Sequence, residues 1–321
     1  MKYKPIVIVA GEPNSIFLEI FLKTIKKFKT KHPLLLIVSS KLLKLQMAKL
    51  KIYKEINILN NQNLLKFKYK KNSINIYDIN YNPKKTFKNS SIKSNIYLKN
   101  CFELAFKTLR KYKITKFING PIVKNTFLKK KYLGITEYIS KEFNIKKNAM
   151  LIYNKNLSVC PVTTHLPLKS VTSKITKKNI IEKIKLIDEF YKKKLKKKPK
   201  IAVVGLNPHC ESVNKFNEDE KILKPAVKFL KKKKFKISGP FPADTIFLKQ
   251  NRSNYDVILG MYHDQVLTPI KTIFEYDAIN ITLGLPFIRI SPDHGPNQKM
   301  VGKNMSNPLS LMRAIEFLDN N

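Results

Sequence analysis

The chain has 321 residues, 43% of them hydrophobic, with 19 Phe and 14 Tyr, which is more than one small domain needs and excludes global disorder. Lys and Arg number 63 against 22 Asp and Glu, a formal net charge of +41 that attracts anions, phosphorylated small molecules included. The lysines run through the whole chain without an RNA-binding aromatic signature or zinc-finger spacing, so they read as drift toward AT-rich codons and predict no specific nucleic-acid partner.

The apolar run Pro5 to Ala10, closed by Gly11-Glu12-Pro13, reads as a first strand over Ile6–Ala10 and not as a signal peptide. A second strand is expected at Leu34–Ser39. His32, before Pro33 in a lysine-rich stretch, reads as a surface residue. Residues 54–95, rich in Asn, Lys and Ile, give no pattern from which elements can be placed. Leu98, Cys101, Phe102, Ala105 and Leu109 recur at helical spacing, and strands are expected at Lys116–Ile118, Met150–Tyr153 and Ser158–Val162. Thr176 is placed to cap a helix over 177–195. Further strands follow at Ile201–Gly205, Tyr255–Leu259 and Ile279–Leu283. Helices are expected around Ile222–Leu230 and, capped by Ser306, around Leu311–Leu318. Strand–helix alternation predicts an α/β fold with a largely parallel sheet. No run of about 18 apolar residues exists, so nothing is expected to span a membrane. Cys101, Cys160 and Cys210 are too widely spaced for a disulfide framework, and a reducing cytoplasm fits them.

The chain has only nine Gly and five His, yet four histidines lie after residue 160 in segments poor in lysine. His165, His209 and His263 each follow an expected strand: Ser158–Val162, Ile201–Gly205 and Tyr255–Leu259. Ligands of open α/β sheets bind beyond the carboxyl ends of the strands, where three imidazoles can converge on one divalent transition metal and leave it open positions. Asp264 beside His263, and Asp244 in Gly239–Thr245, can orient an imidazole or complete the metal shell; for Asp244 a helix cap before Ile246 is the other reading. Neither a Gly-x-Gly-x-x-Gly nor a P-loop pattern is present. The residues alone therefore indicate a metal-dependent α/β enzyme acting on a small anion.

Six segments carry a closer likeness: Thr163–Leu168 (TTHLPL), Gly205–His209 (GLNPH), Gly239–Thr245 (GPFPADT), Met261–Gln265 (MYHDQ), Asn280–Arg289 (NITLGLPFIR) and Asp293–Gly295 (DHG). In order and spacing they resemble the 4-hydroxythreonine-4-phosphate dehydrogenases of vitamin B6 biosynthesis. Weaker matches are Gly11-Glu12-Pro13, Gly120-Pro121 with Lys124, and Gly134 with Thr136-Glu137. The resemblance implies two α/β/α domains like those of isocitrate and isopropylmalate dehydrogenases, with the active site in the interdomain cleft at a dimer interface. Its domains would be 1–125 plus 275–321, with the nucleotide-binding loop, and 126–274, with the metal ligands and the dimer interface. It implies a cytoplasmic homodimer in which His165 and His209 of one subunit share a divalent metal (Zn, Co or Mg) with His263 of the other. Thr136, Lys271, Asn280 and Arg289 become substrate contacts, Lys271, Asp244 and Asp264 the residues of the reacting centre, and His294, Gly295 and Pro296 the NAD or NADP loop. The implied reaction oxidises the C3 hydroxyl of 4-phosphooxy-L-threonine and releases CO2 to leave 3-amino-2-oxopropyl phosphate.

This sequence departs from the family pattern at three places. Ile135 stands where the family has His before Thr-Glu, Asn14-Ser15-Ile16-Phe17-Leu18 replaces Ala-Gly-Ile-Gly-Pro, and Cys210-Glu211-Ser212-Val213-Asn214 replaces a glycine-rich stretch. An apolar side chain at 135 cannot bond a phosphate. These changes leave a dehydrogenase of a related phosphorylated hydroxy acid, such as threonate or erythronate phosphate, as the alternative within the family. A non-catalytic anion- or nucleic-acid-binding protein is the alternative outside it.

Overall fold

The structure, a computed structural model, describes residues 3–59, 64, 66–83, 92–123, 127–128, 132, 134–213, 216–292 and 294–321. Its strands in chain order are β1 (Ile6–Val9), β2 (Leu34–Val38), β3 (Ile56–Leu59), β4 (Ile74–Asp78), β5 (Lys116–Asn119), β6 (Ala149–Tyr153), β7 (Ser158–Pro161), β8 (Ile201–Val204), β9 (Ile237–Phe241), β10 (Val257–Gly260), β11 (Ile279–Leu283) and β12 (Ile288–Pro292). The longer helices are α1 (Phe17–Lys27), α2 (Ser40–Leu50), α3 (Ile92–Tyr112), α4 (Ile135–Glu142), α5 (Lys177–Lys194), α6 (Lys224–Lys232), α7 (His263–Phe274) and α8 (Leu309–Asn320). The chain divides into two compact units, residues 1–139 with 286–321 and residues 140–285.

In the first unit the strand order is β3-β4-β2-β1-β5-β12, every pairing parallel. Parallel strands covered on both faces must be apolar on both. Accordingly β1 (IVIV) is buried throughout and β2 (LLLIV) in all but its first residue. Helix α3 packs along β1 and β2, and α8 along β12 and β1. The aromatic surplus sits here: Phe102, Phe106 and Phe117 are fully buried, Phe106 tilted against Phe102 and edge-to-face on Phe117. Each buried phenyl contributes about 1.5–3 kcal/mol. Gly11 (φ +77°) and Gly120 let the ends of β1 and β5 touch backbone to backbone. A Cβ on Gly11 would lie 2.4 Å from the Pro121 carbonyl oxygen, and one on Gly120 would lie 2.3 Å from that of Ala10.

In the second unit the order is β11-β6-β7-β10-β8-β9. From β7 to β9 the pairings are parallel, while β6 runs antiparallel to both β7 and β11. Its core joins Ile152, Val159, Ala202, Val204 and Ile258 with Val266 and Ile270 of α7.

All eight expected strands form, each within two residues of its expected ends. β3 and β4 lie in the stretch that gave no pattern, and β9 and β12 add two more. Thr176 caps α5, its Oγ1 accepting from Asn179 N at 3.1 Å. Ser306 does not cap the last helix: Pro308 holds that position, and the buried Ser306 instead donates its backbone N–H to Glu19 Oε1 at 2.7 Å. His32 is not a plain surface residue either. Its ring meets Asp319 Oδ1 at 3.0 Å and Lys116 Nζ at 2.9 Å, with the side chain only 13% exposed. No helix among the described residues is long and apolar enough to cross a membrane.

Candidate active site

The second unit places the three expected metal ligands on three neighbouring strands. His165 follows β7, His263 opens α7 just after β10, and His209 follows β8; β10 lies between the other two. Neighbouring strands lie about 4.8 Å apart, so loops leaving their carboxyl ends start close together. Cross-ties hold them. Thr163 donates N–H and Oγ1–H to Met261 O, at 3.1 and 2.8 Å. Gln265 accepts from Met261 N at 2.7 Å and donates to Gly205 O at 2.7 Å, joining the loop before His263 to the one before His209.

The loop of His209 has its own anchor. Fully buried Asp219 accepts from Leu206 N at 2.8 Å and from the backbone and side-chain amides of Asn207 at 3.0 Å. Beyond it His209 (φ 54°) and Cys210 (φ 62°) are consecutive left-handed residues, a conformation that costs energy for any side chain but glycine. His165 and His209 are exposed and His263 is half-buried. The rings of His165 and His263 lie 6.0 Å apart, centre to centre, within one chain. Asp264 Oδ1 meets His263 Nδ1 at 2.6 Å, the carboxylate–imidazole pairing that fixes a ligating ring and leaves Nε2 for a metal. The donor set therefore suits a divalent transition metal. Among the described residues of one chain, no group of three or more His, Cys, Asp or Glu is placed to hold a metal.

Lys271 is exposed on α7, seven residues after Asp264 and so on the same helix face. Asn280 on β11 is half-buried, and its Oδ1 is buried without a hydrogen-bond partner, an acceptor for a ligand's donor. Asp244 is exposed in the first turn of the short helix Ala243–Ile246; Pro242 is the N-cap, so the capping role is excluded.

The first unit holds a charged side chain in a different setting. Arg289 on β12 is 1% exposed. Its Nε donates to Asn119 Oδ1 at 2.7 Å and its Nη1 to Thr136 Oγ1 at 3.1 Å. Burial pushes the guanidinium down to about 10, and the charge of Glu137 opposes that shift. Ile135, the first residue of α4, is half-buried beside Thr136.

Glu12, just beyond β1, is 2% exposed with both carboxylate oxygens buried; burial raises it to about 7 against the weaker pull of the Asn14 amide. Its loop leads to the expected nucleotide segment, since Ile16 N donates to Pro296 O at 3.2 Å and Phe17 packs on His294 at 6.2 Å. Around Gly295 a Cβ would meet nothing within 4 Å, so its backbone is open on that side. Asp293 and Lys124 lie outside the described residues. Sequence reasoning missed Asn119, Asp219 and Gln265, which touch the site only through other residues; Gln265 stood in a quoted motif, but nothing marked its role.

A family model described as pyridoxal phosphate biosynthetic protein PdxA matches residues 29–318. The chain belongs to this family. The 4-hydroxythreonine-4-phosphate dehydrogenase of Sulfurihydrogenibium sp. (strain YO3AOP1) is 37% identical over 97% of this chain and 96% of the relative. The D-threonate 4-phosphate dehydrogenase of Pectobacterium atrosepticum is 36% identical over 58% of this chain and 57% of the relative. A crystal structure of 4-hydroxythreonine-4-phosphate dehydrogenase from Klebsiella pneumoniae matches with a TM-score of 0.84 and 26% identity over 98% of each chain. The α/β fold class expected from the sequence is thus that of this PdxA-family member.

Proposed function

We propose that this PdxA-family chain is a metal-dependent, NAD(P)-linked 4-hydroxythreonine-4-phosphate dehydrogenase of the cytoplasm. The observation that supports the reading is the emergence of His165, His209 and His263 after three neighbouring strands, with Asp264 on the ring of His263. The overall chemistry oxidises 4-phosphooxy-L-threonine at C3, giving one hydride to the nicotinamide and one proton to solvent. The resulting 2-amino-3-oxo-4-phosphooxybutanoate takes up a proton and loses CO2, leaving 3-amino-2-oxopropyl phosphate.

When bound, a divalent metal supplies Lewis-acid polarisation and a nicotinamide cofactor accepts the hydride. The chain's own residues do the rest. His165, His209 and His263 hold the metal, and Asp264 orients His263. Arg289 and Thr136 take an anionic group of the substrate, with Lys271 and Asn280 as further contacts. Asp244 and Lys271 serve the proton movements, and His294, Gly295 and Pro296 receive the dinucleotide. The active form is a homodimer in which His165 and His209 of one subunit act with His263 of the other. The test is NAD(P) reduction with 4-phosphooxy-L-threonine, with and without chelator, beside D-threonate 4-phosphate. Chelator-sensitive turnover of the first substrate is expected. A clear preference for D-threonate 4-phosphate would assign the chain to the activity named for the Pectobacterium relative.

A further inference from the structure

Residues 192–200 and 231–236 hold twelve lysines in fifteen positions and no acid. The whole chain carries 63 Lys and Arg in 321 residues, or about three in fifteen, so an even drift in composition does not account for these two runs. Thirty positions separate them in sequence, and the fold brings them together. Lys200 directly precedes β8 and Lys236 directly precedes β9, and these parallel neighbours pair from Ile201 and Ile237 onward. Ile201 N donates to Lys236 O at 2.8 Å, and Lys192 Nζ lies 6.0 Å from the centre of the Phe235 ring. All twelve lysines are exposed. They form one basic surface at the amino ends of β8 and β9, whereas His209 follows the carboxyl end of β8.

Local structure explains only part of this charge. Asp188 pairs with Lys192, Glu189 with Lys193 and Asp256 with Lys197; among the described residues none of the other nine lysines forms an ion pair. The dipole of a helix favours cations in its last turn, which covers Lys192 to Lys194 of α5 and Lys231 and Lys232 of α6. That effect fades within the turn and does not reach Lys198, Lys200 or Lys236. Lysines crowded without acids repel one another, and a polyanion relieves that repulsion.

We propose that this surface binds the phosphate backbone of double-stranded nucleic acid without regard to sequence. The apolar side chains within the runs select this partner. Leu195 and Phe235 are half-buried and Pro199 is buried. A surface that docks on a bilayer adds apolar anchors to its lysines, and one that grips single strands adds exposed aromatic rings for the bases to stack on. This surface offers lysine alone, which suits the dense phosphates of a duplex.

The test is fluorescence anisotropy of short labelled DNA duplexes of two unrelated sequences, titrated with the full chain over a series of salt concentrations. Both duplexes should bind alike, with a Kd of about 1–100 μM at physiological salt and a log–log salt slope of about −4. Two variants of equal charge, each checked for folding by its melting curve, separate the surface from the net charge. The first combines Lys194→Gln, Lys198→Gln, Lys200→Gln, Lys233→Gln and Lys236→Gln. The second combines Lys26→Gln, Lys41→Gln, Lys44→Gln, Lys49→Gln and Lys107→Gln, all exposed lysines of α1, α2 and α3 in the first unit. The first should weaken binding tenfold or more and at least halve the slope; the second should leave the slope nearly unchanged. Equal losses in the two would overturn the proposal, because net charge alone would then attract the duplex. Absence of wild-type binding would overturn it too, as would binding to phosphatidylserine vesicles that the first set abolishes while duplex binding stays intact. If the fivefold change unfolds the chain, Lys198→Gln with Lys236→Gln is compared with Lys41→Gln with Lys44→Gln, and the slope must still fall only in the first pair.

Discussion

The two units hold chemistry at strand ends in opposite ways. In the second, the groups proposed to react are out in the open: His165 and His209 are exposed, and His263 is half-buried beside an exposed Asp264. Only their supports are interior, the backbone ties of Thr163 and Gln265 and the buried Asp219. In the first unit the charged groups are themselves interior. Arg289 is 1% exposed and Glu12 2%, and each is bound up with core packing. The contrast separates two kinds of fragility. An exposed ligand can be removed without harm to the fold, whereas removal of a buried charge alters function and stability together.

The largest expected effect tests the open side. His165→Ala, His209→Ala and His263→Ala should each abolish bound metal and turnover while leaving the melting temperature of the metal-free protein nearly unchanged. The exposed His263–Asp264 pair adds little to stability. Metal content by elemental analysis and a melting curve suffice. A collapsed fold in any of the three would break the comparison. Mixing His165→Ala with His263→Ala chains sharpens it: if the subunits share sites, about a quarter of the sites should return, since half the dimers are mixed and each has one intact site. No restored activity would place both residues in one chain's site, which their 6.0 Å separation also allows.

The buried side predicts a pH effect. The Glu12 carboxyl is raised by burial from 4.5 to about 7 in the folded chain. Between those values the unfolded chain has lost the proton and the folded chain keeps it. Stability therefore falls as pH rises from about 4.5 to 7, and the full cost stands above 7. At about 1.36 kcal/mol per pH unit, that cost is up to about 3 kcal/mol. Glu12→Gln should remove it. The variant should melt higher than wild type at pH 8 and equal to it at pH 4; a constant difference across that range would show that Glu12 does not titrate there.

Arg289 comes next. A charge-assisted contact to an anion is worth roughly 1.5–3 kcal/mol, so Arg289→Ala should lower kcat/KM by about ten- to a hundredfold or more. Arg289→Lys should recover only part, because the Asn119 and Thr136 partners are set for a planar fork. Unlike the histidine variants, Arg289→Ala should also lower the melting temperature, since Asn119 Oδ1 loses its partner in the core. Equal kinetics in Arg289→Ala and wild type would withdraw the anion site from the first unit.

This contrast also explains what was legible in the sequence. The apolar runs that became β1, β2 and β8 stood out because a buried parallel sheet demands them. β3 (INIL) and β4 (INIYD) did not, because alternating Asn and Ile looks the same in a chain where both residues are abundant everywhere. β12 was hidden by the charge of Arg289 within it. The histidines were visible as rare residues beside Pro and Gly in a lysine-rich chain. Asn119, Asp219 and Gln265 are ordinary residue types whose meaning lies in their partners, and the distant ones, up to 170 positions away, leave no local trace.

The smallest effect belongs to a third polar cluster, which serves neither site. Asp319 near the end of α8 accepts from the backbone N–H groups of Lys31 and His32, at 3.0 and 2.8 Å, and from the His32 ring at 3.0 Å. His32 and Lys116 precede or begin β2 and β5, at the amino ends of the strands, away from the carboxyl ends that bear the candidate site. Burial raises the Asp319 carboxyl, but these hydrogen bonds outweigh it and leave the group below its ordinary 3.8. A depressed carboxyl contributes stability above its unfolded value and loses it as pH falls through the folded one. Asp319→Asn keeps the shape and one acceptor but gives up the charge, so it should cost about 1–2 kcal/mol at neutral pH. That cost should fade as pH falls from 3.8 through the lower folded value, where the wild-type group is neutralised as well. Substrate and metal binding should be untouched, because the cluster ties the last helix to the start of β2 and reaches neither Arg289 nor the histidine loops. A changed affinity for 4-phosphooxy-L-threonine in a folded Asp319→Asn protein would mean that the amino ends of these strands are coupled to their carboxyl ends, and the separation of support from chemistry in the first unit would fail.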